Sequence, residues 1–560
     1  MKLRPLFILL AALTLSATVR SAPGPLIPRP QEATRLDGQF VFTTGIPVVY
    51  ASGLEPLAEY IADYIPLQRL DDRTWTAGAA LRLSLDGTMD DESYRLTVTP
   101  QGVQVVGADY GGVFNGLQTL LQLLPPEVYT GQATLPLAVD ACRIEDAPRF
   151  HYRGMMLDVV RTWMDADRVK RHIDLLSHLK INKLHLLLSN DEGWRLEIKS
   201  HPELTEIGAW RGGDSPVMPV YGKWDEKYGG FYTQDEMRDL IRYAAVRNVE
   251  IIPELDLPGH SRNFARVHPE ILCDYTPDLR PTAGYDYRSV WCASREENYR
   301  LLADILGELA ALFPSEYLHI GGDEADRTAW KSCPRCRHLA RELGGVDQVQ
   351  CYLVEHAEKF LAEHGRTMIG WDEILKNNLR STSTVISYRG QRGGIEAANR
   401  GYDVVMSPGE ILYFDWYQAD PHTQPRAMGG FSPIRKMYGF HPVPDTPAKA
   451  ADNESIIRGE FVSPDSVEYI YDGGKEHVIG VQGCTWTEFI ETEKHLEYMI
   501  FPRLLAVSEL AWTPRERREW NDFRRRINVH VSLLHARGIN AFPLSDDVVI
   551  TAQMLSEGKK

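Results

Sequence analysis

The feature of this 560-residue chain that most constrains its fold is a series of eight short β-rich runs that begins after Pro148. Helical stretches separate most of them. Short apolar runs bounded by turn signals are typical of buried strands, and apolar residues at helical spacing are typical of the helices that cover a parallel sheet. Eight such units in series predict an α/β fold, a (β/α)8 TIM barrel. The runs are Gly154–Asp158, Lys183–Leu188, Glu250–Asp256, Tyr317–Asp323, Thr367–Asp372, Thr384–Tyr388, Asp403–Ser407 and Val478–Gly483.

A different pattern precedes the barrel. Short strands mix with two helical stretches, and the alternating segment SYRLTVTPQGVQVVG turns at Pro100-Gln101-Gly102, which predicts a hairpin. We therefore expect a small α+β domain over residues 23–147, the barrel over 148–513, and a helical segment over 514–560 that packs on the barrel.

The first residues have the pattern of a secretory signal peptide. Lys2 and Arg4 precede an apolar run from Leu6 to Leu15, and small residues follow. The run is too short for a stable membrane span, although an N-terminal anchor remains an alternative. We expect cleavage of residues 1–22, no membrane insertion afterwards, and a secreted or periplasmic protein.

The net charge of the chain indicates which classes of binding partner to expect. The 61 basic and 77 acidic residues give a net charge of −16. Nucleic acid and anionic membranes attract basic surfaces, so this balance argues against both as partners. The sequence does not indicate an oligomeric state.

The cysteines are sparse and odd in number. There are 7, and Cys333 and Cys336 form a single CxxC. A zinc site would need two more ligands, and no second CxxC exists. We therefore prefer a local disulfide or two free thiols at this pair.

Acidic and aromatic residues follow seven or more of the predicted strands. A barrel places its chemistry at the carboxyl ends of its strands, so these side chains are expected to share one mouth. Carboxylates suit proton transfer and sugar hydroxyls, and rings suit the apolar faces of a sugar. A lone aspartate after a strand is more often a helix cap, and a lone tryptophan is more often core. The joint pattern nevertheless favours a sugar site.

The pair Asp323-Glu324 in the segment LHIGGDE is unusual for a glycosidase. Ordinary glycosidases use two separated carboxylates, whereas neighbouring side chains in an extended chain point to opposite sides. One acid could protonate the leaving oxygen while the other orients a group of the substrate. A metal site is the main rival, but the second strand lacks His-x-His, and His260 is the one good histidine ligand near the mouth. We expect neither a metal nor an organic cofactor.

Six segments together resemble the motifs of glycoside hydrolase family twenty, the β-N-acetylhexosaminidases, in the same order. They are RGMMLDVVR, LHLLLSNDEGWR, PELDLPGH, LHIGGDE, IGWDEIL and WTEF. The likeness covers nearly the whole mature chain, including an N-terminal part similar to that family's small α+β domain. The resemblance implies exo-acting removal of terminal GlcNAc or GalNAc from a small or oligosaccharide substrate. It also implies substrate-assisted retaining hydrolysis, in which the 2-acetamido oxygen attacks the anomeric carbon.

The resemblance also implies roles for individual residues. Glu324 matches the general acid/base, Asp323 the residue that binds the acetamido N–H, and Tyr413 the tyrosine that binds the acetamido oxygen. His260 matches a histidine near the acid. The predicted substrate-binding residues are Arg161, Asn190, Asp191, Trp371, Tyr388, Asp415, Trp486 and Glu488.

Three positions depart from the family pattern. Leu187 replaces a histidine, Asn190 replaces the aspartate that usually pairs with the histidine at position 260, and Tyr388 stands where a tryptophan usually lines the acetamide pocket. Two alternatives therefore stay open. One is a lacto-N-biose-releasing or sulfated-GlcNAc-releasing exoenzyme of the same family. The other is a non-catalytic glycan-binding barrel, favoured only by Asn190 and Tyr388.

Overall fold

The computed structural model describes residues 24–213, 226–273, 289–376, 379–380 and 382–544. The predicted signal peptide, residues 1–22, lies outside these ranges. Among the helices that can be described, none is both long enough and apolar enough to cross a membrane.

Eight parallel strands form a closed barrel, which confirms the predicted fold class. Each strand pairs with the next, and the eighth returns to the first through pairs such as Gly480 with Tyr152. Every predicted run overlaps one strand. In chain order, the first to eighth barrel strands are Tyr152–Asp158, Lys183–Asn190, Glu250–Leu257, Tyr317–Gly321, Thr367–Trp371, Thr384–Ser387, Asp403–Met406 and Val478–Thr485.

Helices cover the outside of the barrel, and about half of the longer ones begin at residues whose side chains cap the helix. Asp165 accepts a hydrogen bond from the backbone N–H of Arg168, and Thr233 and Glu236 form a reciprocal capping box. The longer helices after the first barrel strand are Ala166–His178, Gln234–Val246, Glu296–Leu312, Pro334–Leu343, Asp347–Glu363, Arg392–Asn399, Pro447–Arg458, Glu493–Ile500, Arg503–Trp512 and Trp520–Ala536. Shorter turns of helix lie in the loops at Glu203–Glu206, Arg262–Val267, Thr328–Ser332, Gly409–Leu412 and Ile434–Gly439.

The N-terminal part forms a seven-stranded sheet with its own apolar core. Its fifth and sixth strands form the predicted hairpin, with Tyr94 opposite Gly107 and Thr99 opposite Gly102. The strands are Glu32–Phe42, Pro47–Tyr50, Gln68–Asp71, Leu81–Leu85, Tyr94–Thr99, Gly102–Gly107 and Leu137–Asp146, and the helices are Glu55–Ala62 and Tyr110–Leu123.

A buried ion pair joins this sheet domain to the barrel. Arg153, on the first barrel strand, donates two hydrogen bonds to Glu92, at 2.8 and 2.7 Å. Burial raises the pKa of Glu92, but the Arg153 charge together with the hydrogen bonds from Arg153 and Asn248 outweighs burial, and the resulting pKa is about 2. Asn248 adds a third donor to the same carboxylate at 2.8 Å. The carboxylate therefore remains ionised and paired in the folded protein at neutral pH.

The last described helix, Trp520–Ala536, packs against the first described residues and against the outside of the barrel. Arg526 donates to both carboxylate oxygens of Glu509, at 2.7 and 2.5 Å, and to the carbonyl of Leu26 at 2.8 Å. Phe523 of the same helix stacks on Tyr438, with ring centroids 4.4 Å apart. The helix thus ties the first described residues to the barrel.

We predict that Arg153→Met destabilises the protein by about 3–5 kcal/mol, because it leaves the Glu92 carboxylate buried without its charge partner. Equilibrium urea unfolding measures this loss. The matched control is Arg143→Met, which breaks an exposed pair with Glu145 and should cost at most about 1 kcal/mol. Equal losses in the two variants would contradict a stabilising role for the interface pair.

Candidate active site

A pocket of about 140 Å³ opens at the carboxyl ends of the barrel strands. It brings together most of the residues predicted from the sequence. Its lining residues are Arg161, His260, Asp323, Glu324, Tyr388, Tyr413, Asp415, Trp416, Met428, Trp486 and Glu488. Of the predicted residues, Asn190, Asp191 and Trp371 lie behind this lining.

Two glycines turn the fourth barrel strand so that both acids reach the pocket. Gly321 and Gly322 have φ of +71° and +97°, and the strand ends at Gly321, two residues before its predicted end. A methyl group on Gly321 would lie 2.0 Å from Asp256 Oδ1. Glu324 also has a positive φ, of +47°. The left-handed conformation of this turn favours glycine, and the turn directs the adjacent side chains of Asp323 and Glu324 into the pocket.

His260 lies between the two acids and a third carboxylate. Its Nε2 is 3.6 Å from Asp323 Oδ2 and 3.4 Å from Glu324 Oε2, and its Nδ1 is 2.9 Å from Asp191 Oδ2. Burial disfavours the imidazolium, but the charges of Asp191 and Asp256 and the hydrogen bonds to Asp191 and Asp323 together outweigh burial and raise the pKa of His260 well above its ordinary value. His260 is therefore a cation at neutral pH.

Asp191 occupies the place that the sequence analysis expected for position 190. That expectation is wrong: Asp191, not residue 190, pairs with His260, and its second oxygen accepts the backbone N–H of Arg262 at 3.1 Å. Burial raises the pKa of Asp191, but the His260 charge holds it below the ordinary value. The substitution at position 190 therefore removes no charge from this pair.

Asn190 instead contacts a carboxyl group on the third barrel strand. Its Nδ2 donates to Asp256 Oδ2 at 2.8 Å, and its Oδ1 accepts the backbone N–H of Asp191 at 2.7 Å. Burial and the charge of Asp323 raise the pKa of Asp256 well above its ordinary value. Asn190 thus orients both neighbouring acids without lining the pocket.

Glu324 is accessible, and its side chain is 44% exposed. Its hydrogen bond with His260 lowers its pKa, and this effect outweighs partial burial. Its backbone N–H donates to Glu373 Oε1 at 3.0 Å, and the Tyr388 hydroxyl donates to the same oxygen at 3.0 Å. Glu373 therefore connects the backbone of the acid to a wall of the pocket.

Aromatic rings form the walls and the floor. The Trp486 ring lies 5.8 Å from Trp371 and 6.2 Å from Tyr413, and Tyr388 meets Trp371 edge-on at 5.5 Å. Trp371 is fully buried, and its Nε1 donates to Glu254 Oε1 at 2.9 Å. Trp371 is thus a floor beneath the exposed rings rather than a lining residue.

The side of the pocket that the aromatic rings do not cover is polar. Arg161 Nη2 lies 3.8 Å from Glu488 Oε1, and Arg161 Nη1 lies 3.4 Å from Asp158 Oδ2. Burial, and then the charge of Glu488, raise the pKa of Asp415 well above its ordinary value. Among the described residues, Asp323 Oδ1 and Asp415 Oδ1 are buried without a hydrogen-bond partner. Both oxygens are available to a polar ligand.

Two groups near the barrel axis have the ligand types of a metal site: His185, Glu254 and His319, and Asp256, His260 and Asp323. In the first group, Glu254 lies 2.9 Å from His185 and 3.0 Å from His319. It also accepts the Trp371 N–H. In the second group, His260 lies 3.6 Å from Asp323, and Asp256 accepts a hydrogen bond from Asn190. We therefore assign both groups to a polar network under the pocket.

Two lining residues, Trp416 and Met428, were not predicted from the sequence, and neither were the contacts of Glu373. Trp416 directly follows the predicted site residue Asp415, so its place in the lining could have been predicted from the sequence. Met428 reaches the pocket from a distant loop and has no such signal. Glu373 lies two residues after Trp371 in the segment GWDEIL, but its contacts with Glu324 and Tyr388 depend on the tertiary fold.

Family models match nearly all of the described chain. The model of the catalytic domain of glycosyl hydrolase family 20 matches residues 150–515, and the model of domain 2 of that family matches residues 24–147. The chain belongs to glycosyl hydrolase family 20.

Individual relatives agree with the family assignment. A β-hexosaminidase of Porphyromonas gingivalis is 37% identical over 530 residues, which are 92% of this chain and 64% of that relative. A β-hexosaminidase of Vibrio furnissii is 35% identical over 86% of this chain and 76% of its own length. The chain thus spans somewhat less than two thirds of the first of these family 20 proteins.

A solved structure shares the fold over almost the whole chain. It is a family 20 exo-β-N-acetylglucosaminidase from Vibrio harveyi in complex with N-acetylglucosamine, at 31% identity and a TM-score of 0.79. The similarity covers 94% of this chain and 80% of the other.

We predict that Asp191→Asn moves the alkaline limb of the kcat/KM profile to higher pH. Without the Asp191 charge the pKa of His260 falls, so Glu324 loses its cationic neighbour and the pKa of Glu324 rises. Deprotonation of a general acid then occurs at higher pH, and kcat/KM reports the free enzyme. The control is Asp167→Asn, whose side chain is 95% exposed. An alkaline limb that stays in place or moves to lower pH would show that Asp191 does not act through His260.

Proposed function

We propose that this family 20 chain is an exo-acting β-N-acetylhexosaminidase that releases terminal GlcNAc or GalNAc by substrate-assisted retaining hydrolysis. The family assignment and relatives named β-hexosaminidase support this activity. The Vibrio harveyi structure with N-acetylglucosamine supports an N-acetylated sugar as the ligand. The substrate is then a small or oligosaccharide glycoside with a terminal N-acetylhexosamine.

The observation that carries the proposal is the convergence of two adjacent acids on one imidazole. Asp323 and Glu324 both lie within 3.6 Å of His260 Nε2. Two carboxylates that flank a glycosidic bond are about 5 Å or more apart in retaining and inverting enzymes. Acids on one side of the bond leave the nucleophile to come from elsewhere, and the 2-acetamido group of the substrate can supply it.

The acids then have separate tasks. Glu324, half exposed towards solvent, donates its proton to the leaving oxygen and afterwards accepts a proton from water. Asp323 Oδ1, buried and unpartnered among the described residues, accepts the acetamido N–H and offsets the positive charge of the oxazolinium intermediate. The C1–oxygen bond to the leaving group breaks as the acetamido oxygen bonds to C1. Water then attacks C1 and gives its proton to Glu324 while the bond from C1 to the acetamido oxygen breaks, so the configuration is retained.

The pocket walls suit the remainder of the sugar. The rings of Trp486 and Tyr388 enclose the acetamide methyl, and the Tyr413 hydroxyl is placed to donate to the acetamido oxygen. Arg161, Asp415 and Glu488 provide donors and acceptors for ring hydroxyls. Trp371 closes the base of the pocket, so a glycan enters by its end, which supports exo-action.

The position of Asp191 also bears on the alternatives. A non-catalytic glycan-binding barrel was favoured by Asn190 and Tyr388. The carboxylate that pairs with His260 is nevertheless present at Asp191, which removes the argument from Asn190. The alternative of a lacto-N-biose-releasing or sulfated-GlcNAc-releasing enzyme concerns the same pocket and the same chemistry. A panel of these glycans separates it from the main proposal.

Export is proposed on the sequence alone. The basic start, the apolar run and the small residues within residues 1–22 support a cleaved signal peptide and a secreted or periplasmic protein. The intact mass of the protein recovered from its natural compartment tests this proposal.

The decisive test of the activity compares an aryl β-GlcNAc with the matching aryl β-glucoside, which lacks the acetamido group. We expect hydrolysis of the first and near loss of hydrolysis of the second, since the nucleophile is missing. A thiazoline mimic of the intermediate should bind far more tightly than free GlcNAc. Equal hydrolysis of both glycosides would overturn the substrate-assisted mechanism. Hydrolysis of neither would contradict the proposal that the protein is a β-N-acetylhexosaminidase.

A second prediction separates the two acids. Glu324→Gln should lose much more rate on a natural disaccharide than on a nitrophenyl glycoside, because a good leaving group needs little protonation. Asp323→Asn should lose roughly 10²–10³ in kcat on both, because it acts on the acetamide. Glu342→Gln, at an exposed side chain, is the control. The same dependence on leaving group in both variants would contradict separate roles.

A further inference from the structure

Four cysteines that are far apart in the sequence meet beside the barrel. Their sulfur atoms all lie within 4.8 Å of one another, and all four residues are buried. We call them the cysteine cluster: Cys273, Cys292, Cys333 and Cys336. The CxxC at Cys333 and Cys336 carries free thiols rather than a disulfide, and the fold supplies the two further sulfur ligands that the sequence did not show.

The sulfur spacing matches a tetrahedral metal site. Cys336 Sγ lies 3.7 Å from Cys273 Sγ and 3.5 Å from Cys292 Sγ. Zinc bound to four thiolates at about 2.3 Å places the sulfurs about 3.8 Å apart, whereas a disulfide requires about 2.0 Å. We propose that the cysteine cluster binds a structural zinc ion. Four protein ligands leave no open position, so the site is structural rather than catalytic.

The CxxC half of the cluster is built on a helix start. Cys333 is the N-cap of the helix Pro334–Leu343, and Cys336 lies in its first turn. The free backbone N–H groups and the positive end of the helix dipole at this point stabilise thiolates. Pro334 at the first helical position fixes the backbone between the two ligands.

The other half is fixed by backbone pairing. Leu272 forms a bridge with Trp291, and the backbone N–H of Cys292 donates to the carbonyl of Ile271 at 2.7 Å. Asn298 donates to the carbonyls of both Ile271 and Cys292, at 2.8 and 3.0 Å. These bonds hold Cys273 and Cys292 side by side, and preorganisation of this kind favours metal binding.

A hydroxyl group completes the surroundings. Ser294 Oγ lies 3.3 Å from Cys292 Sγ and 3.3 Å from Cys336 Sγ. A hydroxyl in this position can donate to either thiolate and reduce its charge, as groups around zinc ligands commonly do.

The position of the cluster suggests what the ion stabilises. Trp291, next to Cys292, donates from Nε1 to Ser261 Oγ at 3.0 Å, and its carbonyl accepts from Trp330 Nε1 at 2.9 Å. Ser261 adjoins His260, and Trp330 lies in the short helix just before Cys333. Zinc would therefore hold together the loops that follow the third and fourth barrel strands, the loops that carry His260 and the acid pair.

The test measures metal content and thiols on the purified full chain. After dialysis against metal-free buffer, elemental analysis should find about one zinc ion per chain, and the protein unfolded with a chelator should show all 7 cysteines as free thiols. Cobalt exchanged into the site should give thiolate-to-cobalt charge-transfer bands and the visible bands of tetrahedral cobalt. Disulfides with no zinc, or free thiols that take up neither zinc nor cobalt, would overturn the proposal.

Variants locate the ion. Cys336→Ser should lose the zinc, and the matched control Cys351→Ser, a buried cysteine whose sulfur contacts backbone carbonyls, should keep it. If Cys336→Ser does not fold, Ser294→Ala provides the second test: it should keep the ion but release it faster to a chromogenic chelator than the parent protein. Zinc retained by folded Cys336→Ser, or lost equally from Cys351→Ser, would contradict the site. None of these readouts depends on the proposed hydrolase activity.

Discussion

The charged hydrogen bond between Asp191 and His260 is the interaction on which the rest of the pocket depends. It keeps a buried imidazole protonated, and that cation lies within 3.4 to 3.6 Å of both acids of the GGDE turn. Without the cation, the two adjacent carboxylates would lie on one side of the pocket with no positive charge between them to offset their repulsion. The imidazolium thus allows Asp323 and Glu324 to occupy one side of the pocket, which substrate-assisted chemistry requires and a two-carboxylate mechanism excludes.

That arrangement is made possible by local backbone geometry. His260 and Glu324 are both non-glycine residues with positive φ, of +46° and +47°. Such conformations cost free energy and persist only where surrounding contacts impose them. Gly259 and Gly321 supply the close approach, since a methyl group on Gly259 would lie 2.8 Å from the Asp323 carbonyl. The loops after the third and fourth strands therefore fit against each other backbone to backbone, and a zinc ion in the cysteine cluster would fasten the same two loops at their outer side.

The sequence predicted the barrel well because each strand carries its own local signal. All eight runs are short, apolar and bounded by turns, and burial on both faces of the sheet accounts for their composition. The pairing partner of His260 could not be predicted in this way. At the end of the second strand, Gly193 pairs back onto Asn190, and this tight turn directs Asp191 towards His260. The cysteine cluster could not be predicted from the sequence for a related reason. Cys273 and Cys292 come together with Cys333 and Cys336 only in the tertiary fold.

The departure at position 190 has a physical explanation in the crowding of acids. Asp191, Asp256, Asp323 and Glu324 already surround one imidazolium. A carboxylate at position 190 would add a further negative charge beside Asp256, whereas the Asn190 amide is neutral and donates to Asp256 at 2.8 Å. Leu187 likewise places an apolar side chain where the family has a histidine, and it packs in an apolar cluster with Met156, Ile252 and Trp371. Both substitutions therefore reduce the number of buried charges under the pocket while keeping the one ion pair that charges His260.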